Sequence, residues 1–249
     1  MKLYKPSGVS NMKSKRLEQI KKNDAVIAKA KRAGKPTMII VLGVQGCGKG
    51  TQSEMYLAEH ATKVDYVGSR TVHYMNDINT PIEVKYIGTG NVLRSLPDDS
   101  PERKAIDRGN FVPDSVIINL LKETITTDTH VWGDGLGRNF NQAKQLVKSY
   151  KNRFNIVAVH FDMPAELVAA RIEQRISTGA ARADDTDKKA VQKRVGTFNK
   201  VTMPAIGWLR VRPDVVFVRV PITNDEPAVN YARFKTLLNE KLKQNNITL

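Results

Sequence analysis

One cysteine, Cys47, stands in 249 residues, so no internal disulfide can form and no Cys/His zinc cluster can be assembled. Such scarcity suits a reducing, cytosol-like compartment. No apolar stretch approaches twenty residues although 41% of the chain is hydrophobic, so no membrane span is expected. The first residues carry no apolar core of the secretory kind, and no signal peptide is expected either. Internal repeats and low-complexity segments are also missing. Acidic residues run short, 25 against 40 Lys and Arg, which leaves a formal charge of +15.

That excess is uneven. Residues 1–36 hold eleven basic residues against Glu18 and Asp24, a net of +9, and the remaining chain carries +6. The second part is only mildly basic, as suits a protein of polyanionic ligands. Within the first, Leu17, Ile20 and Ile27 recur at helical spacing among lysines. They predict an amphipathic helix from about Met12 to Arg32, ended by Gly34 and Pro36. A solvated or core-capping helix is its plainest use. Binding of nucleic acid or another acidic surface is an alternative, as is organelle targeting, which having only Arg16 and Arg32 as arginines weakens.

What the chain does hold is Met38-Ile-Ile-Val-Leu-Gly-Val-Gln-Gly-Cys-Gly-Lys-Gly-Thr-Gln52. Met38 to Leu42 is an apolar, β-branched run long enough for one buried parallel strand. Gly43, Gly46, Gly48 and Gly50 remove Cβ atoms where a backbone must curl closely around something. Such a curl turns N–H groups inward, and the helix opening near Gly50 adds its positive end. The result is an anion site with Lys49 placed to reach the terminal phosphates of a nucleotide. The strict form of the pattern has Ser or Thr directly after the lysine; here Gly50 intervenes before Thr51. Cys47 reads as a small loop residue rather than a catalytic thiol.

Beyond this loop, strands and helices alternate. Apolar alternation returns at Val64–Tyr74 and Ile82–Ile87, helices open at Ser100-Pro101 and Pro113, and Thr129–Trp132 reads as a strand. A helix follows from about Asn141 to Tyr150, a strand at Ile156–Phe161, and a helix at Ala165–Ile176. Asp184-Asp185-Thr186 caps a helix to about Lys200, Val215–Val220 is the last strand, and Pro227–Leu242 closes the chain as an amphipathic helix. This alternation predicts an α/β domain with a parallel sheet covered on both faces.

Five segments in order resemble the adenylate kinase family of nucleoside monophosphate kinases. They are the glycine-rich loop, Ile-Gly-Thr-Gly-Asn-Val-Leu-Arg at 87–94, Gly-Asn-Phe-Val-Pro-Asp at 109–114, Asp-Gly-Leu-Gly-Arg-Asn-Phe-Asn-Gln at 134–142, and Phe161 to Trp208 with its Arg171…Arg175, Arg182-Ala-Asp-Asp and Lys193-Arg194. The resemblance implies a P-loop NTPase-type parallel five-stranded sheet over residues 37–249, an acceptor-binding helical flap at 91–121, and a short lid at 176–182 hinged at Gly179. It implies transfer of the ATP γ-phosphoryl to AMP with Mg²⁺ and no zinc; UMP/CMP kinase activity, or weak turnover in a binding protein whose tail holds RNA or another acidic partner, are the rivals. In this reading Gly46, Cys47, Gly48, Lys49, Gly50 and Thr51 hold ATP phosphates and Arg171 lies against the donor base. Arg175, Arg182 and Arg194 clamp the transferring group. Thr89, Gly90, Arg94, Val112, Gly135, Arg138 and Gln142 form the acceptor site, in which Thr89 and Gln142 favour adenine. Asp134 holds waters of Mg²⁺, with Asp184 and Asp185 as further ligands or as helix caps. The chemistry asks independently for arginines, which are always charged and grip phosphate with a planar fork.

Three departures stand out. Leu136-Gly137 replaces the family's Phe-Pro, predicting an altered acceptor site; Pro221-Ile222 replaces Asp-Gly beside the donor base. Thirty-seven residues separate Thr51 from Thr89, some twenty beyond the family's usual number. The extra stretch, within 61–83, is expected to form a hairpin on the sheet edge or against another subunit. Oligomeric state is left open.

Overall fold

A computed structural model describes residues 32, 34–76, 81–94, 96–107, 112–125, 129–179 and 188–249. Seven strands form one sheet in the order β3-β2-β4-β5-β1-β6-β7. They are β1 (Thr37–Gly43), β2 (Lys63–Tyr66), β3 (Thr71–His73), β4 (Glu83–Gly88), β5 (His130–Asp134), β6 (Asn155–Asp162) and β7 (Val215–Pro221). Every neighbouring pair is parallel except β2 with β3. The described helices are α1 (Lys49–His60), α2 (Thr89–Arg94), α3 (Pro101–Asp107), α4 (Asp114–Thr124), α5 (Phe140–Tyr150), α6 (Glu166–Ser177), α7 (Lys188–Thr197), α8 (Met203–Arg210) and α9 (Pro227–Gln244).

β1 lies inside the sheet, between β5 and β6, and its residues through Leu42 are at most 2% exposed. Burial on both faces explains why it reads as a continuous apolar run rather than an alternating one. Ile39 and Val41 face a cluster that includes Tyr56 and Leu57 of α1, Ile172 of α6 and Phe234 of α9. Met38, Ile40 and Leu42 face the other cluster, with Leu121 of α4, Leu146 of α5 and Ile206 of α8. The first face carries an aromatic stack in which Trp132 donates its indole N–H to Ser53 Oγ at 2.8 Å, so the buried donor keeps a partner.

Five strands were expected and seven are present. The added pair is β2 and β3, which lie in the long stretch between Thr51 and Thr89. Val64 and Tyr66 turn inward while Lys63 and Asp65 are partly exposed, the alternation a half-buried strand needs. Gly68, at φ +75°, allows the tight reversal into β3. β2 pairs with β4 from Lys63↔Glu83 to Tyr66↔Tyr86, so the hairpin extends the sheet at its edge. The edge strand is three residues long and polar at both ends, which limits pairing with another chain.

A second difference concerns residues 188–210. No helix ends near Lys200; α7 runs through a π-helical turn at Phe198–Thr202 directly into α8. Pro204, the second residue of α8, has no N–H to offer a carbonyl of the preceding turn, and the wide π-helical turn before it absorbs the break. The capping residues expected at 184–186, and all of the helix expected from about Met12 to Arg32 except its last residue, lie outside the described residues.

At the opposite end of the sheet from the glycine-rich loop, the backbone N–H of Thr37 donates to His130 Nδ1 at 3.1 Å. That nitrogen must therefore be unprotonated, and burial further lowers the His130 pKa. Burial lowers that of His160 as well. A folded value below the unfolded one means the unfolded chain takes up more protons as pH falls. Stability is accordingly full above the ordinary histidine value of about 6.5 and is lost as pH drops below it. The urea midpoint at pH 5 is expected below that at pH 7. His130→Asn, whose amide oxygen can still accept from Thr37, should reduce the difference. An equal or higher midpoint at pH 5 refutes this account.

Candidate active site

The glycine-rich loop joins β1 to α1. Gly46 and Gly48 have φ +83° and +87°, conformations that an L side chain resists. A Cβ on Gly43 would fall 2.7 Å from Cys47 Sγ and 2.8 Å from the Phe161 carbonyl oxygen, so the loop closes only around a bare backbone there. Lys49, the first residue of α1, folds back beneath it and donates to the carbonyls of Gly43 (2.7 Å) and Val44 (3.0 Å). Cys47 Sγ lies 3.6 Å from the same ammonium. Burial, opposed by Lys49, raises the Cys47 pKa, which keeps the thiol protonated and inert. Gly50 and Thr51 continue the first turn of α1, with Thr51 exposed.

Asp134 ends β5 opposite Val41 of β1 and Gly88 of β4, at the carboxyl edge where open α/β sheets gather ligand-binding groups. Its Oδ2 accepts from Tyr86 Oη at 3.3 Å, whereas its Oδ1 is buried with no hydrogen-bond partner among the described residues. Burial, with Asp134 adding to it, holds the Tyr86 phenol well above its ordinary range, so Tyr86 stays a donor.

The turn after Asp134 carries a second cationic group. Gly135 (φ +78°) and Gly137 (φ +68°) both adopt the left-handed conformation. A proline, fixed near −65°, could not occupy position 137 in this turn. Leu136 between them is fully buried, and Gly133 makes room for it, since a Cβ there would meet Leu136 Cδ1 at 2.3 Å. Leu136-Gly137 thus builds a different reversal from the family's Phe-Pro. Arg138 Nε donates to the Gly135 carbonyl at 3.0 Å. Thr89 Oγ1, 4% exposed, lies 3.4 Å from the carbonyl oxygens of Asp134 and Gly135. Thr89 and Gly90 open α2, which ends at Arg94. Val112 is buried beside α4, and Gln142, 4% exposed, lies in the first turn of α5.

Two further arginines reach the loop. Arg194 of α7 donates to Gln45 Oε1 at 2.7 Å, tying a helix 149 residues away to the glycine-rich turn. Arg171 of α6 starts beside Gly46 and donates through Nη2 to the carbonyls of Thr223 (2.8 Å) and Asp225 (3.0 Å). Its guanidinium borders a polar cleft of about 330 Å³ whose other wall is Asn224–Pro227. Asn230 and Arg233 of α9 fix that wall: Asn230 Oδ1 accepts from Thr223 N, and Arg233 pairs with the Asp225 carboxylate at 2.9 Å. Thr223 first, and Arg233 next, hold the Asp225 pKa low. Arg175 lies one turn beyond Arg171 with Nε and Nη2 buried. α6 ends at Ser177, and Gly179 (φ +74°) follows in the left-handed region. Arg182, Asp184 and Asp185 lie outside the described residues.

Several groups in this picture were given no role by the sequence. Gln45, Asp114 and Asn139 lie within the quoted segments but were not assigned a role, and Tyr86, Asn230 and Arg233 lie outside them; Gln45 and Tyr86 hold residues that were assigned one, whereas Asn230 and Arg233 fix the wall that Arg171 meets. No cluster of three or more His, Cys, Asp or Glu side chains able to hold a metal occurs among the described residues. None of their helices is long and apolar enough to cross a membrane.

A mostly parallel sheet with a glycine-rich loop between an inner strand and a helix, and with arginines converging on that loop, defines a phosphate-loop nucleotide-binding protein of the kinase class. No family model matches the chain. Its curated relatives nonetheless include adenylate kinases, to which it is similar over most of its length. The adenylate kinase of Phocaeicola vulgatus is 29% identical over 182 residues, covering 69% of this chain and 84% of that one. Adenylate kinase 1 of Schistosoma mansoni is 28% identical over 211 residues, 81% of this chain and 91% of that one. Among solved structures, an unliganded sugar kinase from Janibacter covers 86% of this chain at 15% identity, with a TM-score of 0.47, too low to carry an argument.

Proposed function

We propose that this protein is an ATP-dependent nucleoside monophosphate kinase that moves the γ-phosphoryl of ATP to AMP and back, yielding two ADP. The observation that carries this reading is the convergence of cations from separate elements at one edge of the sheet. Lys49 lies under the loop, Arg194 is joined to it through Gln45, Arg171 starts beside Gly46, and Arg138 is held over the turn that follows Asp134. A protein that only bound a nucleotide would need the loop but not this spread of guanidinium groups.

In the reaction, a bond forms between an AMP phosphate oxygen and the γ-phosphorus as the bond to the leaving ADP oxygen breaks, its electron pair going to ADP. Such transfer needs in-line placement and fixed positive charge rather than covalent help. Lys49 and the loop N–H groups would hold the donor phosphates, and Arg94 and Arg138 the acceptor phosphate. Arg175, Arg182 and Arg194 would cover the oxygens of the moving group. Arg171 and the cleft it borders would take the donor base. The donor set suits Mg²⁺ accompanying ATP, because this ion keeps most of its waters and asks little of the protein. Asp134, with its buried Oδ1 without a partner among the described residues, would hold those waters, and the ion would neutralise phosphate charge. The residues 176–182 would act as a short lid and 91–121 as the acceptor flap.

Thr89 and Gln142 together support adenine as acceptor base. Purified full-length protein given ATP, Mg²⁺ and, separately, AMP, CMP, UMP, GMP or dTMP should consume AMP fastest, with two ADP formed per AMP by nucleotide chromatography. No diphosphate from any of the five overturns the kinase reading, and faster turnover of CMP or UMP overturns the choice of acceptor.

A further inference from the structure

Gln142 is held at both ends of its amide. The backbone N–H of Arg138 donates to Gln142 Oε1 at 3.1 Å, and Gln142 Nε2 donates to Asp114 Oδ1 at 2.9 Å. Asp114, the first residue of α4, also accepts from Asn139 Nδ2 at 2.7 Å. Asn139 closes the ring by accepting the backbone N–H of Gln142 at 2.8 Å, which caps α5. These contacts span 25 and 28 residues of sequence and join the two helices that flank the turn carrying Arg138.

The partners dictate which end of the amide is oxygen. A backbone N–H can only donate and a carboxylate oxygen accepts, so a flipped amide would set carbonyl against carboxylate and NH₂ against N–H. After both bonds are made, Gln142 keeps one N–H and one oxygen lone pair. It can therefore offer a base one donor and one acceptor, in a single order.

We infer that Asp114 is a specificity-determining positioning residue: by fixing the Gln142 amide in one orientation, it makes the acceptor pocket read the order of donor and acceptor on a purine edge. This rests on Gln142 facing the acceptor base, as in the function proposed above. Adenine presents its 6-amino donor beside the N1 acceptor. Hypoxanthine reverses the pair, with O6 accepting and N1–H donating, and is otherwise the same purine. An amide free to turn over would serve either base. One locked by a carboxylate serves one and leaves the other with two unmatched polar contacts, a mismatch that binding sites reject strongly.

IMP is therefore the probe, compared with AMP through kcat/KM in the full-length protein. The wild type should prefer AMP by at least about a hundredfold. In Asp114→Asn the new side chain can turn its NH₂ toward a Gln142 oxygen, so the contact at position 114 no longer forbids the flipped amide and only the Arg138 N–H still opposes it. The variant's AMP-over-IMP preference should fall at least about tenfold, chiefly through gain on IMP. A purely structural role at the start of α4 would lower activity on both substrates alike and leave the ratio unchanged. Thermal melting establishes that the variant is folded. If it is not, ¹⁵N–¹H spectra of the wild type give the answer: the Gln142 Nε2 protons should exchange more slowly than those of exposed glutamines, and free exchange overturns the lock. A wild type that uses AMP and IMP equally, or a folded Asp114→Asn with an unchanged ratio, refutes this inference and leaves the kinase reading standing. A wild type that turns over neither AMP nor any other monophosphate refutes both.

Discussion

Lys49→Met should lower kcat with ATP, Mg²⁺ and AMP by at least about a hundredfold while the protein stays folded. Methionine matches the length of the lysine stem, so packing at the start of α1 is nearly kept and the charge alone is removed. In the structure that charge sits inside the curl of the loop, 2.7 Å and 3.0 Å from two carbonyl oxygens. It is already oriented before any phosphate arrives, and needs little reorganisation as negative charge shifts between the transferring oxygens. A hundredfold loss corresponds to about 2.7 kcal/mol of transition-state stabilisation, within the range for one preorganised donor. Lys49→Arg serves as the control. It keeps the charge, yet a planar guanidinium is too broad for a space bounded by Gly43, Val44 and Cys47, so it should rescue little. The two carbonyls that lose their ammonium partner are expected to cost stability on the order of 1 kcal/mol, readable as a modest fall in Tm. A kcat within tenfold of wild type would mean that Lys49 does not contact the transferring group.

The parts of this site that were legible in the sequence are those whose causes are local. An apolar run followed by four glycines and a lysine can hardly fold otherwise than as β1, a tight loop and α1, because burial and backbone freedom both act over a few residues. The turn-rich stretch before Thr89 likewise betrays its hairpin, since Val64, Tyr66 and Val72 alternate with polar neighbours around Gly68. What could not be read is the set of long-range ties. Nothing near Gln45 in the chain announces Arg194, and nothing near Arg171 announces that Asn230 and Arg233 shape the loop it binds. Gln142 drew attention for the base it could read, yet its orientation depends on Asp114, on a different helix. The count of strands missed for a related reason. β2 can join the sheet only by pairing with β4, and periodicity in a four-residue segment does not name a partner. The π-helical turn at Phe198–Thr202 had a visible cause in Pro204, but an expected helix end and a widened turn look alike from the sequence.

Gly135→Ala should match Arg138→Ala in its effect on turnover, each losing at least about a hundredfold in kcat/KM, although the glycine variant keeps its arginine. A methyl at position 135 would lie 2.4 Å from Arg138 Nη2, 2.5 Å from Nε and 2.8 Å from Cζ, so guanidinium and methyl cannot share the space. The side chain would yield rather than the backbone, because its far end is flexible and partly solvated. The stability cost is then mainly that of alanine at φ +78°, about 1–2 kcal/mol. Function should suffer more than stability. The arginine is drawn inward by its Nε bond to the Gly135 carbonyl, and that bond sets where its remaining donors point. A displaced fork still carries its charge but no longer meets a phosphate held by the rest of the site, and misplacement of about 1 Å can cost a hundredfold. The double variant provides the sharper reading. If both changes act through the same guanidinium, Gly135→Ala added to Arg138→Ala should cost no further activity, because the group it displaces is already gone. Full additivity in kcat/KM would instead show that the turn and the arginine act separately, and would remove Arg138 from the acceptor-phosphate site.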